Sequence, residues 1–167
     1  YALHAKTVEE KQTLSLDGNK LSISRGNEVT LPIGGTETNN GGQTYLVLAG
    51  DITDEVAIAK IQADLGSNTQ FVKVVNTTNL TSLDFTGFGI GELLSIQIED
   101  NDKLEFINFP DLVNVWEGVS IRDNDKLTSV NGPLLIGAEY VTVSNNVLLS
   151  SFYLPVLAKS NSVHFYN

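Results

Sequence analysis

From Phe71 to Asn167 the chain repeats one pattern of apolar and polar positions. Short alternating runs recur as Val72-Lys73-Val74, Ile96-Gln97-Ile98, Val119-Ser120-Ile121, Val141-Thr142-Val143 and Val163-His164-Phe165, their starts stepping by 24, 23, 22 and 22 residues. Six residues past each of the first four runs stands a leucine: Leu80, Leu104, Leu127 and Leu149. Three further on come Leu83, Ile107, Val130 and Phe152. Pro110, Pro133 and Pro155 follow in three coils, then Phe88, Leu112, Leu135 and Leu157 one per coil. Alternation of period two predicts strands whose outer residues face inward and whose middle residue faces out. A unit this short buries its apolar side only against copies of itself, so the fixed period predicts a stacked solenoid.

Ahead of the array, Tyr45 to Gly50 reads as a buried strand. Thr53 is placed to cap a helix with Asp54 and Glu55 in its first turn, as the helix dipole favours. Ile58, Ile61 and Leu65 then fall on one helical face, and Gly66 is placed as its C-terminal stop. A strand and an amphipathic helix at this point predict an N-terminal cap for the solenoid. Further upstream, Leu14 and Leu16, Leu21 and Ile23, and Val29 and Leu31 alternate with Ser or Thr around Asp17-Gly18-Asn19 and Arg25-Gly26-Asn27. Three short strands joined by tight turns are predicted there, too small to stand alone. Tyr1 to Glu10 has no clear period. Residues 33–43 carry Gly34-Gly35, Asn39-Asn40 and Gly41-Gly42 and read as a flexible linker. The expected plan is a β-motif over 1–32, a linker over 33–43 and a capped solenoid over 44–167.

Stacking at about 4.8 Å sets equivalent residues of successive coils side by side. The outward ladder is then Lys73, Gln97, Ser120, Thr142 and His164. Two residues on lies a second ladder of Val75, Glu99, Arg122, Ser144 and Tyr166, in which Glu99 and Arg122 are cross-strand neighbours. Asn101, Asn124 and Asn146 share one register, where amides at a corner bond their own backbone and the next coil's.

The repeat (strand, Asn-x-x-Leu-x-x-apolar, Pro-x-Leu) resembles irregular leucine-rich repeats. It is most similar to the receptor L-domain type of right-handed β-helix, over about residues 45–167. Its strands are rich in Val and Ile, and no convex helix is predicted, unlike the horseshoe type. The fold class expected is mainly β: a right-handed β-solenoid with one capping helix and a short N-terminal β-meander. The resemblance implies extracellular recognition of protein or glycan, with no catalytic residues to carry over. Residues 12–32 resemble a short β-motif of tail-fibre and surface-fibre proteins, which implies a fibrous, often trimeric, attachment context.

The formal charge of −10 and the pI near 4.4 argue against nucleic acid and anionic membrane as partners. No run is apolar for the length that spans a bilayer. There is no cysteine, so disulfides and thiolate metal sites are excluded. The chain opens on Tyr1 with no signal segment and ends inside a fifth coil, as expected of a mature form or of a piece of something longer. An open solenoid edge invites pairing.

Candidate chemistry is sparse. His4 and His164 sit at opposite ends, so a triad or paired-His metal site finds no support. Gly87, Gly89 and Gly91 replace the proline corner of the first coil, and no helix follows them as a phosphate loop requires. Asp100 and Asp102 recur one coil later as Asp123 and Asp125. Stacked like charges are relieved by Lys103, Lys126 and solvent, or by a bridging calcium ion. No cofactor is otherwise implied. Trp116 falls in a slot that holds Glu92, Glu139 and Asn161 in other coils, and Phe106 in one that holds Ser82, Ser129 and Ser151. Large aromatics in polar slots are expected to be exposed, and exposed aromatics mark contact sites. The candidate binding residues are therefore Trp116, Phe106, Glu99, Arg122, Gln97 and His164. The expected function is non-enzymatic attachment to protein or glycan from a fibre, virion or cell surface, as a trimer joined by the N-terminal motif. A purely structural fibre subunit is the alternative, followed by a β-helix enzyme acting on polysaccharide.

Overall fold

The computed structural model of the chain describes residues 14–17, 20–23, 28–30 and 41–166. Two compact units are formed, by residues 1–37 and 38–167. In the first, β1 (Leu14–Asp17), β2 (Lys20–Ile23) and β3 (Glu28–Thr30) make an antiparallel sheet in chain order, Leu16 opposite Leu21 and Leu21 opposite Val29. These are the three strands that the Leu-Ser and Val-Thr alternation predicts. The N-terminal lead, both turns and most of the expected linker lie outside the described residues.

The second unit is a parallel β-solenoid. Long strands β4 (Tyr45–Gly50), β5 (Phe71–Thr77), β7 (Glu92–Glu99), β9 (Asn114–Arg122), β11 (Gly137–Ser144) and β13 (Ser162–Tyr166) pair in that order into a six-stranded sheet. Short strands β6 (Ser82–Asp84), β8 (Phe106–Asn108), β10 (Ser129–Asn131) and β12 (Ser151–Tyr153) form a second, four-stranded sheet. One coil is one long strand, a corner, one short strand and a return. The register pairs Val72 with Ile96, Ile96 with Val119, Val119 with Val141 and Val141 with Val163, as the repeat requires. The side chains of Val72, Ile96, Val119 and Val141 fill the core with Leu80, Leu104 and Leu127, and with Leu83, Ile107 and Val130. Phe85 and Phe109 stack inside it, ring centroids 5.1 Å apart. In the glycine-rich first coil Ile90 is buried, whereas the expected Phe88 is only partly so. Towards the last coil the packing thins: Leu149, Phe152 and Leu157 are half-buried, and Val163 and Phe165 are exposed.

Corners are where the sequence spends its Asn and Asp. Asn76, Asp100, Asp123 and Asn145 each take a left-handed conformation, φ 53° to 55°, at the end of a long strand. Short polar side chains tolerate that region best after glycine. The next residue points inward: Thr77, Asn101, Asn124 and Asn146 are fully buried. They form a continuous amide ladder. Asn101 Nδ2 donates to Asn124 Oδ1 (2.8 Å), and Asn124 Nδ2 donates to Asn146 Oδ1 (3.1 Å). The same amides donate to the carbonyls of Val74, Ile98 and Ile121 one coil back. Thr77 ends the ladder, giving both its N–H and its hydroxyl to Asn101 Oδ1.

Helix α1 (Asp54–Asp64) covers the open end beside β4, but with a narrower stripe than expected. Ala57 and Ile61 are buried, Leu65 is half-buried, and Ile58 is 46% exposed. Residues spaced by four share one line along a helix, and Ile58 lies one step off it. Thr53 makes no side-chain capping bond to the helix N-terminus. Gly66 is not a left-handed stop either, because the helix ends at Leu65 in extended conformation. Gly66 is needed for space: a Cβ there would lie 2.5 Å from the Gly42 nitrogen, and one on Gly42 would lie 2.3 Å from the Gly66 nitrogen. The backbone is bonded into the cap already at Gly41, whose carbonyl accepts from Asn68 N–H, and Gln43 N–H donates to Asp64 O.

Asp54 fastens the helix to the next coil. Its carboxylate accepts from Thr81 N–H (2.7 Å), Thr81 Oγ1 (2.6 Å) and Ser82 N–H (3.1 Å). Burial pushes its pKa up, but these three bonds outweigh it and hold the carboxyl below the ordinary aspartate range. A depressed folded pKa adds stability that is present above the unfolded pKa, and this is lost as pH falls through the folded value. Acid titration of the melting temperature should therefore show a fall below about pH 4 that is shallower in Asp54→Asn. Parallel profiles for the two proteins would contradict the clamp.

Candidate functional site

The outward side of the six-stranded sheet carries three columns. The middle one, extended by Val47, is Lys73, Gln97, Ser120, Thr142 and His164. Beside it run Ala49, Val75, Glu99, Arg122, Ser144 and Tyr166. The third is Tyr45, Phe71, Ser95, Gly118, Tyr140 and Ser162, which the sequence reading did not single out. Its signal was available: each member stands two residues before the middle column, hence on the same side of the sheet.

A shallow depression of about 340 Å³ opens on this side, lined by Ser95, Gln97, Glu99, Ser120, Arg122 and Tyr140. Three of the expected binding residues, Gln97, Glu99 and Arg122, thus come together. Arg122 Nη2 and Nε donate to Glu99 Oε1 (2.6 and 3.0 Å), and Ser120 Oγ donates to the same oxygen (3.0 Å). The Glu99 hydrogen bonds, then its charge, hold the guanidinium above its ordinary pKa. A Cβ on Gly118 would lie 2.7 Å from the Tyr140 ring, so that ring lies over bare backbone. Upstream, Tyr45 and Phe71 stack with centroids 4.6 Å apart. Hydroxyls, an amide, an oriented ion pair and an aromatic wall can bind a polar, partly flat ligand.

Trp116 is 59% exposed, as expected, and has no hydrogen bond or ring partner among the described residues. Its slot differs from the one that counting from the leucine gives. Glu92 pairs with Asn114, and the register breaks between Leu93 and Ser95, so Trp116 and Glu117 together face Leu94 across a β-bulge. A bulge inserts one residue and re-aims its side chain, which is why a fixed count fails here. On the other side Trp116 and Glu117 together face Glu139, the residue before Tyr140.

The remaining candidates stand apart. Phe106 begins β8 in the other sheet, between Ser82 and Ser129, and is half-buried rather than exposed. His164 is exposed on β13, stacked on Tyr166, with Tyr166 Oη 3.1 Å from His164 Nδ1. Asp100 and Asp123 occupy the left-handed corners and Asp102 and Asp125 are exposed beside them. Asp123 Oδ1 accepts from Asn145 Nδ2 (2.7 Å). Among the described residues no group of three or more His, Asp or Glu side chains is placed to hold a metal ion, and no helix is long and apolar enough to cross a membrane. The chain matches no family model, no curated protein and no solved structure.

Proposed function

We propose that the protein is a non-enzymatic recognition and attachment protein of the receptor L-domain kind, which engages a glycan or protein on another surface through the outer side of its long sheet. The observation that carries this reading is the depression where Gln97, the Glu99–Arg122 pair and Tyr140 converge with Ser95 and Ser120. The array's period, its leucine and asparagine columns and its helical cap support the L-domain likeness. An extracellular or virion surface is the setting, and residues 12–32 join copies into a trimer, so that avidity multiplies a weak single-site affinity.

The test uses arrays of glycans and of extracellular proteins, probed with the full chain and with Gln97→Ala/Arg122→Ala. An exposed ion pair is worth about 0–1 kcal/mol, so the variant should keep its melting temperature. It should bind at least about tenfold more weakly, a loss of about 1.4 kcal/mol. Unchanged binding by the variant, or no binding by the parent chain, would count against the reading. Light scattering should give three times the 18.1 kDa chain mass, and a single chain mass removes the trimer.

A further inference from the structure

A second depression, of about 400 Å³, opens beside the bulge and is lined by Asn114, Trp116, Gly137, Glu139, Lys159 and Asn161. We infer that it is a saccharide subsite in which Trp116 stacks on one pyranose ring and the flanking amides and carboxylates take its hydroxyls. The inference deepens the recognition reading above and rests on it, since it names the ligand class that this part of the surface takes.

Four observations point the same way. First, Trp116 stands at the bulge with more than half of its surface open to solvent and no aromatic ring against it among the described residues. An exposed indole is a large apolar surface with one polar edge, which matches the apolar face and polar rim of a sugar ring. Second, the polar groups around it are held in place between coils. Asn114 Nδ2 donates to Glu92 Oε1 (3.1 Å), and Asn161 Nδ2 donates to Glu139 Oε1 (2.5 Å). Of the two carboxylates Glu139 lines the depression, and its second oxygen has acceptor capacity for a hydroxyl. Third, Gly137 keeps the floor open: a Cβ there would meet Asn114 Oδ1 at 2.8 Å. Fourth, the surroundings suit a sugar better than a protein partner. Glu117, Glu139 and Lys159 next to the indole are residue types that the centres of protein interfaces avoid. The charge selects further. Glu92, Glu117 and Glu139 against Lys159, on a chain of net −10, disfavour uronates and sulfated sugars. The ligand is a neutral oligosaccharide.

Trp116 is the single tryptophan of the chain, so intrinsic emission reports on this site alone. The full chain is titrated with cellohexaose, maltohexaose and chitohexaose, and with a heparin hexasaccharide as the anionic control. A saturable change of emission with at least one neutral sugar, and none with heparin, is expected. Calorimetry with that sugar should show binding weakened at least about tenfold in Trp116→Ala, and also in Gly137→Ala, both at unchanged melting temperature. Emission unmoved by all three neutral sugars overturns the inference, as does an equal response to heparin or undiminished binding by Trp116→Ala. Emission that shifts with protein concentration alone overturns it too, because the indole is then covered by a second copy. Array binding confined to proteins and lost in Gln97→Ala/Arg122→Ala would sink the saccharide subsite and leave the recognition reading standing.

Discussion

Asn124→Ala should cost the solenoid about 3–5 kcal/mol, more than any single surface change. The side chain is fully buried in the middle of the amide ladder. Its Nδ2 donates to the carbonyls of Ile98 and Arg122 and to Asn146 Oδ1, while its Oδ1 accepts from the Asn101 N–H and Nδ2. Truncation strands these partners away from water, and each buried orphan costs about 1–3 kcal/mol. No buried side-chain nitrogen or oxygen among the described residues lacks a partner, so the structure has no slack in which to hide the loss. Asn124→Leu separates the causes. It refills the volume and restores no hydrogen bond, so it should remain within about 1 kcal/mol of the alanine variant. Denaturant unfolding measures both. If leucine recovers most of the stability, the ladder contributes packing rather than hydrogen bonds.

Leu104→Ala should cost about 3–4 kcal/mol, and Leu149→Ala about half as much. The two leucines occupy the same place in the repeat, two coils apart. Leu104 is fully buried with coils on both sides, whereas Leu149 lies where the described coils end and is only partly covered. A cavity is expensive when its walls cannot collapse, and an edge coil can relax into it. In a stacked array each coil is stabilised mainly by its neighbours, so the central lesion should also weaken cooperativity. Equal losses at the two sites, read from denaturant midpoints and slopes, would show that position in the stack does not matter.

The two leucines illustrate which parts of the structure were open to sequence reasoning. Both are legible as inward residues, because the period of 22 to 24 is written in apolar side chains that have nowhere else to go. The same holds for the asparagine column, for the adjacency of Glu99 and Arg122 and for the Val/Ile pairs of β5, β7, β9 and β11, though not for Val163 and Phe165 of β13. A fixed count along the chain fails where a bulge shifts the register. Counting from the leucine aligns Trp116 with Glu92, yet the bulge sets it with Glu117 against Leu94. A polar slot predicts Phe106 in solvent, yet the residue is half-buried on the short sheet. The spacing of Ile58, Ile61 and Leu65 puts Ile58 on the helix's inner face, yet Ala57 holds that place. The position of Tyr140 on the outer face is legible from its place two residues before Thr142, but its role is not. Its role comes from the absence of a side chain at Gly118, its neighbour in register on β9.

The sequence by itself determined the repeat, the strands, the helix ahead of them and the inward columns. Period and polarity are local properties, and burying apolar surface allows them one solution, which is stacking. Only the tertiary structure decided where the register slips, which glycines make room for a neighbour, and that Gln97, the ion pair and Tyr140 share one depression while Trp116 opens another. These depend on pairs of residues about one coil apart meeting within a few ångströms, and a one-residue bulge is enough to change which side chains meet.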